Sequence, residues 1–279
     1  MSELDDLHNL LRARPAAGAV NLAGYDPADT SAQPSRKKAE AELADLRDEL
    51  FDLHGRLFAE RSRSVLLVLQ GLDCSGKDGT VKHVVIGCNP TGVKVASFTE
   101  PTKEELDHEF LWRYRQCLPP PGHLGVFNRS HYEDAIVPLA CATEDAEVVD
   151  DRIDRINEFE ADLHEGGTVV VKCFLHLSYD EQRHRFLRRL RRDDKRWKFS
   201  EADLETRRRW NEFQAAYGSV LARTSPDHAP WLVIPADNKW YRNWLVARVL
   251  KATLADMNLD YPRIDLDLDR LELVLRAPN

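Results

Sequence analysis

Ser64-Val-Leu-Leu-Val-Leu-Gln70 runs without a break into Gly71-Leu-Asp-Cys-Ser-Gly76-Lys77. The first segment is a continuous apolar run, as expected of a strand covered on both faces. The second is a glycine turn, and Thr80-Val-Lys-His-Val-Val-Ile86 behind it is compatible with a helix. Strand, glycine loop and helix together make an anion cradle. The glycines let backbone N–H groups turn inward, the helix presents its positive end, and a lysine adds a full charge. The pattern G-x-x-x-x-G-K is complete, but Asp78 stands where Ser or Thr usually ligates Mg²⁺. A carboxylate that close to a phosphate has to be offset by metal or by further cations. A chance glycine turn is the competing reading, and the flanking strand and helix argue against it. The loop nominates Gly71, Cys74, Ser75, Gly76, Lys77, Asp78 and Gly79 as phosphate contacts, with Lys82 further along the helix.

Outward from the loop, four more short apolar runs read as strands: Val93–Phe98, Leu124–Asn128, Thr168–Leu177 and Trp231–Ala236. Helical stretches separate them at Lys103–Gln116, Glu144–Glu165, the long Asp180–Thr224 region and Trp240–Met257. Such alternation predicts an α/β fold with a central parallel sheet and helices on both faces. Before the loop, Leu43, Leu46, Leu50, Leu53 and Leu57 form one apolar helix face within residues 37–62. Residues 1–36 show no sustained period and read as a surface arm. Asp265–Arg276 has a mixed period and is left unassigned.

Asn128-Arg-Ser-His-Tyr-Glu-Asp134 follows the third strand, so it emerges at the ligand-binding end of the sheet, beside the loop. Arg129 suits a bidentate phosphate contact; a salt bridge to a nearby carboxylate is the plainer alternative. His131 reads as a satisfied buried histidine. Asp73, Asp78, Glu133 and Asp134 offer hard oxygen ligands for Mg²⁺, and the residues alone leave open which of them hold it.

Between the fourth and fifth strands, nine of the sixteen residues Arg183–Lys198 are Lys or Arg. A charge run is often only a solvated face. Here it sits late in the sheet, where an insertion can close over bound phosphates and exclude water.

The whole chain has a net charge of −8 over 279 residues, which excludes a broadly basic nucleic-acid binder. No apolar stretch is long enough to span a membrane. Five scattered cysteines without a C-x-x-C pair read as free, mostly buried thiols of a cytoplasmic protein. Cys74 inside the loop reads as a small space-filler, with oxidation sensitivity as the sharper alternative.

Several segments together resemble the polyphosphate kinase 2 family: Gly71–Gly79, Phe127–Asp134, Phe174-Leu-His-Leu-Ser178 with Glu181-Gln182, Trp197-Lys-Phe-Ser200, and Ala229-Pro-Trp231 with Ile234-Pro-Ala-Asp237. The Asn-Arg-Ser-His-Tyr-Glu-Asp form resembles the subgroup that phosphorylates AMP and ADP (class III). The departures are Thr99-Glu100, Pro138-Leu-Ala140 and Arg191-Arg192-Asp193; the first two fall on the expected nucleotide side. The resemblance implies a P-loop kinase-like three-layer fold with a basic helical lid at about 179–215. It implies a kinase domain over 37–262, flanked by the arm at 1–36 and a tail at 263–279. It implies Mg²⁺-dependent transfer, with Mn²⁺ as a substitute, between inorganic polyphosphate and adenine nucleotides, guanine being a second base. An ATP-using nucleotide or nucleoside kinase on the same fold is the alternative. Asp73, Lys77, Arg129, Glu133 and Arg189 are the implied catalytic set, with Asp73, Glu133 and Asp134 toward metal. Arg185, Arg189, Lys195 and Lys198 are the implied polyphosphate track, and Thr102, Asn128, Tyr132 and Glu133 the nucleotide contacts. The family also implies a dimer or tetramer.

Overall fold

The computed structural model describes residues 2–276; Met1 of the expected arm and residues 277–279 of the expected tail lie outside them. Helix α1 (Glu3–Leu11) opens the chain, followed by a two-stranded ladder of Pro15–Ala16 and Ala19–Val20. Then come α2 (Arg36–Glu60), β1 (Ser64–Gln70), α3 (Lys77–Val84) and β2 (Val93–Ser97). Next are β3 (Leu124–Asn128), α4 (Glu133–Cys141), α5 (Ala146–Glu165) and β4 (Thr168–His176). The lid holds α6 (Tyr179–Leu190), α7 (Asp193–Arg196), α8 (Glu201–Arg208) and α9 (Trp210–Arg223). Strand β5 (Trp231–Pro235), α10 (Lys239–Asp256) and α11 (Leu268–Arg276) complete it.

The five strands pair in the order β2-β3-β1-β4-β5, all parallel. β1 is central, with Val65 beside Leu124 on one side and Val169 on the other. All seven of its residues are buried, so the run at 64–70 has no solvent face to alternate toward. One core layer packs the leucine face of α2 and nearly the whole of α10 against the sheet. The other packs α4, α5 and α9 against the opposite face.

Three expectations change. β2 is not covered on both faces: it is the edge strand, half exposed, with Lys94 donating to the Gln116 and Leu118 carbonyls. Lys103–Gln116 is not one helix but two single turns, Lys103–Leu106 and Trp112–Arg115. Between them, at the start of the second turn, the Glu109 carboxylate accepts the Leu111 N–H. Residues 2–36 are no loose arm. Ser2 and Asp5 form a capping box, Leu7 and Leu11 are buried, and Ala13 N–H donates to Trp231 O at 2.8 Å at the β5 edge. Leu4, Leu7 and Leu11 do recur at helical spacing, but over only nine residues, and the Pro- and Gly-containing stretch behind them carries no period. The tail contains α11, and all its described residues are exposed.

Candidate active site

The phosphate loop joins β1 to α3 through backbone that few residues tolerate. Gly71 has φ +144°, Cys74 +67° and Gly76 +105°. A Cβ on Gly71 would lie 2.7 Å from the Leu175 carbonyl oxygen, and on Gly76 1.9 Å from an Arg242 nitrogen. These glycines are required by shape as well as by conformation. Lys77 is buried, its Nζ donating to the Gly71 carbonyl at 2.5 Å. Burial and then Arg129 pull its ammonium below the ordinary lysine range, against the pull of Asp73 and Glu133. The Ser75 hydroxyl is buried with no hydrogen-bond partner among the described residues. Burial pushes the Cys74 thiol up to about 11, so it stays protonated and fills space.

The segment after β3 meets this loop. Arg129 takes a left-handed backbone (φ +61°), a strained choice that puts its side chain on Asp73 at 2.6 Å and Glu133 at 3.9 Å. Burial opposes ionisation of Asp73, yet Lys77 and Arg129 hold its carboxyl below the usual range. For Glu133, burial wins over the same two cations and pushes the carboxyl up. Two carboxylates and two cations thus lie together at the mouth of the loop.

The lid closes on this cluster through helix α6. Gln182 donates to the Asp73 carbonyl at 3.0 Å. Arg189 sits 3.4 Å from Asp203 of α8, whose carboxyl is pushed up by burial and by Asp73. Lys198 reaches back to Asp78 at 2.6 Å, and Asn128 donates to the other oxygen of Asp78 at 2.8 Å. A lid lysine and a strand-end amide therefore offset the unusual loop carboxylate.

Six expected site residues are placed elsewhere. Arg185 does not line an open track: it is buried, donating to the carbonyls of Cys74, Ser75, Ala236 and Asp237 and paired with Glu181. Tyr132 does not face the loop: its side chain is fully buried, donating to Glu160 at 2.7 Å. Asp134 turns away from the loop; its carboxylate accepts the Tyr114 hydroxyl at 2.5 Å and lines a separate cavity with Arg113 and Arg152. Thr102 caps its own helical turn in a capping box with Glu105. Lys82 and Lys195 are solvent-exposed, outside the cluster. His131 is buried as expected, with Nε2 on Glu160 at 3.1 Å, but it is only half satisfied, because its Nδ1 is buried with no hydrogen-bond partner among the described residues. Of the cysteines, Cys88 and Cys173 are fully buried and the other three partly so, all as free thiols.

Sequence reasoning gave Gln182 no role and passed over Arg242, both of which touch the loop backbone, and Asp203 on the lid. It also passed over the buried pair of Glu160 and Lys172 at 2.5 Å. A charge inside a covered element was the available signal. Lys172 interrupts Val169-Val-Val171 and Cys173-Phe174, and Arg242 interrupts the apolar helix α10.

The donor set suits a small hard cation. Among the described residues no three His, Cys, Asp or Glu side chains converge into a closed metal cage. Asp73 and Glu133 keep oxygen capacity at the loop mouth, whereas Asp78 and Asp134 are occupied by Lys198 and Tyr114. One or two carboxylates completed by phosphate oxygens and water is the usual Mg²⁺ arrangement.

The family model Polyphosphate kinase 2 matches residues 33–262. The chain is 47% identical over 247 residues to the AMP/ADP-polyphosphate phosphotransferase of Meiothermus ruber, covering 88% of this chain and 92% of that one. It is 42% identical to the ADP-polyphosphate phosphotransferase of Rhodopseudomonas palustris, over 77% of this chain and 78% of the other. The crystal structure of Polyphosphate Kinase 2 from Arthrobacter aurescens superposes with a TM-score of 0.92 at 38% identity, covering 97% of both chains.

Proposed function

Because this chain belongs to the polyphosphate kinase 2 family, we propose that it transfers a phosphoryl group reversibly between inorganic polyphosphate and AMP or ADP. The observation that carries the reading is the meeting of Lys77, Arg129, Asp73 and Glu133 at a phosphate loop under a cationic lid. Phosphoryl transfer asks little covalent help of a protein; it asks for alignment and for cations around the moving group. Backbone amides of Ser75–Gly79 and the Lys77 ammonium hold the phosphates. Arg129 sits between Asp73 and Glu133, placed to swing a guanidinium edge onto the transferring group. Arg189 and Lys198 lie on the lid above, where successive phosphates of a long donor would pass. The nucleotide's own terminal oxygen attacks, so no side-chain nucleophile is required.

Asp73 and Glu133 would hold Mg²⁺, or Mn²⁺ in its place. Such an ion, when bound, neutralises phosphate oxygens as charge redistributes. Acceptance of AMP as well as ADP rests on the segment Asn128–Asp134 and on the AMP/ADP activity for which the Meiothermus relative is named. Asn128 and Glu133 are the residues retained for nucleotide contact, with guanine nucleotides as secondary acceptors. We extend the reading to a cytoplasmic homo-oligomer, dimer or tetramer. Among the described residues no helix is long and apolar enough to cross a membrane.

The test is purified protein with Mg²⁺, polyphosphate and AMP or ADP separately, with products resolved by chromatography. ATP from both acceptors supports the reading. ATP from ADP alone restricts it to the diphosphate level. No product from polyphosphate, with transfer from ATP to another acceptor, replaces it with an ATP-dependent kinase.

A further inference from the structure

Beneath the phosphate loop lie two guanidiniums that share one acceptor. Arg242 of α10 is 2% exposed, and its Nη1 donates to the Ser75 carbonyl at 2.9 Å. Arg185 of α6 donates to the same oxygen at 3.1 Å and to the Cys74 carbonyl at 2.9 Å. The other two donors of Arg242 go to the Asn243 amide oxygen at 3.2 and 2.8 Å. None of its hydrogen bonds is to a carboxylate. The guanidinium lies so close under the loop that a Cβ on Gly76 would stand 1.9 Å from it, and one on Gly79 3.1 Å. Burial, and then the neighbouring Arg185, push the pKa of its guanidinium down to about 9.

A buried cation without an anionic partner is costly, and Arg185 beside it, although itself paired with Glu181, adds to the cost. Neutral carbonyls and an amide satisfy the donors but do not balance the charge. What the placement does achieve follows from peptide geometry. A trans peptide points its C=O and N–H in opposite directions. Pinning the Ser75 carbonyl downward on two guanidiniums therefore aims the Gly76 N–H upward, into the concavity of the loop. The two positive charges lie directly behind that amide, on the side away from the anion, and add to its field.

We propose that Arg242 is a positioning residue for the donor phosphates: with Arg185 it fixes the Ser75–Gly76 peptide so that the loop amides stay aimed at the anion. This rests on the phosphate-transfer reading above, and it assigns to α10, at the far end of the chain, a share in donor binding. Arg185 already has Glu181 as its counter-ion, so the bound polyanion is the charge that balances Arg242.

The experiment compares the intact protein with Arg242→Ala and Arg242→Lys. In Arg242→Ala, kcat/KM for polyphosphate falls about 100-fold, as for a binding group displaced by a remote change. KM for ADP stays within a few-fold, and millimolar guanidinium chloride restores a substantial part of the loss. Arg242→Lys keeps the cation but loses the fork, so it falls between the two and is not improved by guanidinium. Thermal melts establish that each variant is folded. A folded Arg242→Ala with unchanged polyphosphate parameters overturns the proposal, as does equal loss on polyphosphate and ADP without rescue. If Arg242→Ala does not fold, the lysine variant decides, and an unchanged KM for polyphosphate overturns it. Calorimetric titration with tripolyphosphate separates this from failure of the functional reading. Should the wild type not turn over polyphosphate, weaker tripolyphosphate binding by either variant still supports the positioning role, and equal binding refutes it.

Discussion

Asp78, in the first turn of the helix after the phosphate loop, receives Lys198 of the lid at 2.6 Å. The pair joins two elements 120 residues apart and closes the lid on the loop. Both side chains are partly exposed, 64% for Asp78 and 34% for Lys198, so the pair contributes at most about 1 kcal/mol to the fold. On the proposed function, its effect is expected in donor binding rather than in stability. Lys198→Ala leaves the melting temperature within a few degrees and raises KM for polyphosphate several-fold. The rise is larger at low ionic strength, where the lost charge is screened least. A KM independent of salt in both proteins would show that Lys198 only fastens the lid.

Lys77 carries the sharpest loss. Its ammonium is buried at a cost that the loop carbonyls only partly offset. Lys77→Ala therefore leaves stability unchanged or slightly raised, while transfer drops by about 1,000-fold or more, the scale of removing a fixed charge at a transition state. Stopped assays beside calorimetric melts check both halves. Activity within a few-fold of wild type would mean the site lies elsewhere.

Arg185 and Arg189 stand one helical turn apart on α6 and do different work. Arg185 ties the loop to the Ala236–Asp237 carbonyls. Arg189 is less buried and faces Asp203. Arg189→Ala should weaken long-chain polyphosphate more than tripolyphosphate. Arg185→Ala should weaken both alike and lower the melting temperature. Steady-state kinetics over a chain-length series tests the contrast, and equal loss for Arg189→Ala on long and short donors removes it from the donor track.

This contrast also marks how far sequence could reach. The buried strand before the loop, the loop itself and the parallel sheet were legible because each is a local pattern: a continuous apolar run, two glycines and a lysine, strands alternating with helices; the strand order was not. Ser64–Gln70 and Leu124–Asn128 are strands over the residues expected of them. Asp73, Lys77, Arg129 and Glu133 were legible because they flank strand ends in a fold whose ligands sit there. Facing direction was not legible. Arg185 and Arg189 look alike on a helix wheel until Ala236 and Cys74 are seen beneath one of them. Tyr132 and Glu133 are adjacent in sequence, yet the first enters the core beside Trp231 and the second the site. Arg242 was hidden for a related reason. Its partner, the Ser75 carbonyl, is backbone 167 residues away, and backbone acceptors leave no trace in composition.

Glu133 sets an acidic limb in the rate profile. Its carboxyl titrates above the ordinary value of 4.5 because burial disfavours the charge more than Arg129 and Lys77 favour it. Sign follows directly: the protonated form persists to higher pH, so stability from this group is present below 4.5 and is lost as pH rises through the folded value. Metal holding needs the ionised form, so kcat/KM climbs over that same upward range. Glu133→Gln removes the climb and lowers activity at neutral pH, while making the protein no less stable there. A pH–rate profile that keeps its acidic limb in the variant would assign the limb to another group.

Behind the site, Lys172 of β4 and Glu160 of α5 form a fully buried ion pair at 2.5 Å. Tyr132, His131 and the Thr224 carbonyl complete its hydrogen bonds. His131 and Tyr132 belong to the same turn as Arg129 and Glu133, so the pair anchors that turn from the core side. Burial works against both charges, yet Lys172 and His131 hold the Glu160 carboxyl down to about 2. A depressed carboxylate contributes stability that is present above its unfolded value near 4.5 and is lost as pH falls toward 2. Removing one partner leaves the other charge buried alone, so Glu160→Gln or Lys172→Met should each cost about 3–5 kcal/mol. The double change Glu160→Leu with Lys172→Met should cost less than either single one, since two apolar side chains leave no orphan charge. Denaturant unfolding at pH 7 and pH 3 checks the set: the wild type weakens markedly at the lower pH, and the double variant weakens less. If the single variants cost no more than the double, the pair is not coupled, and the turn bearing Arg129 and Glu133 is held by packing around Tyr132 alone.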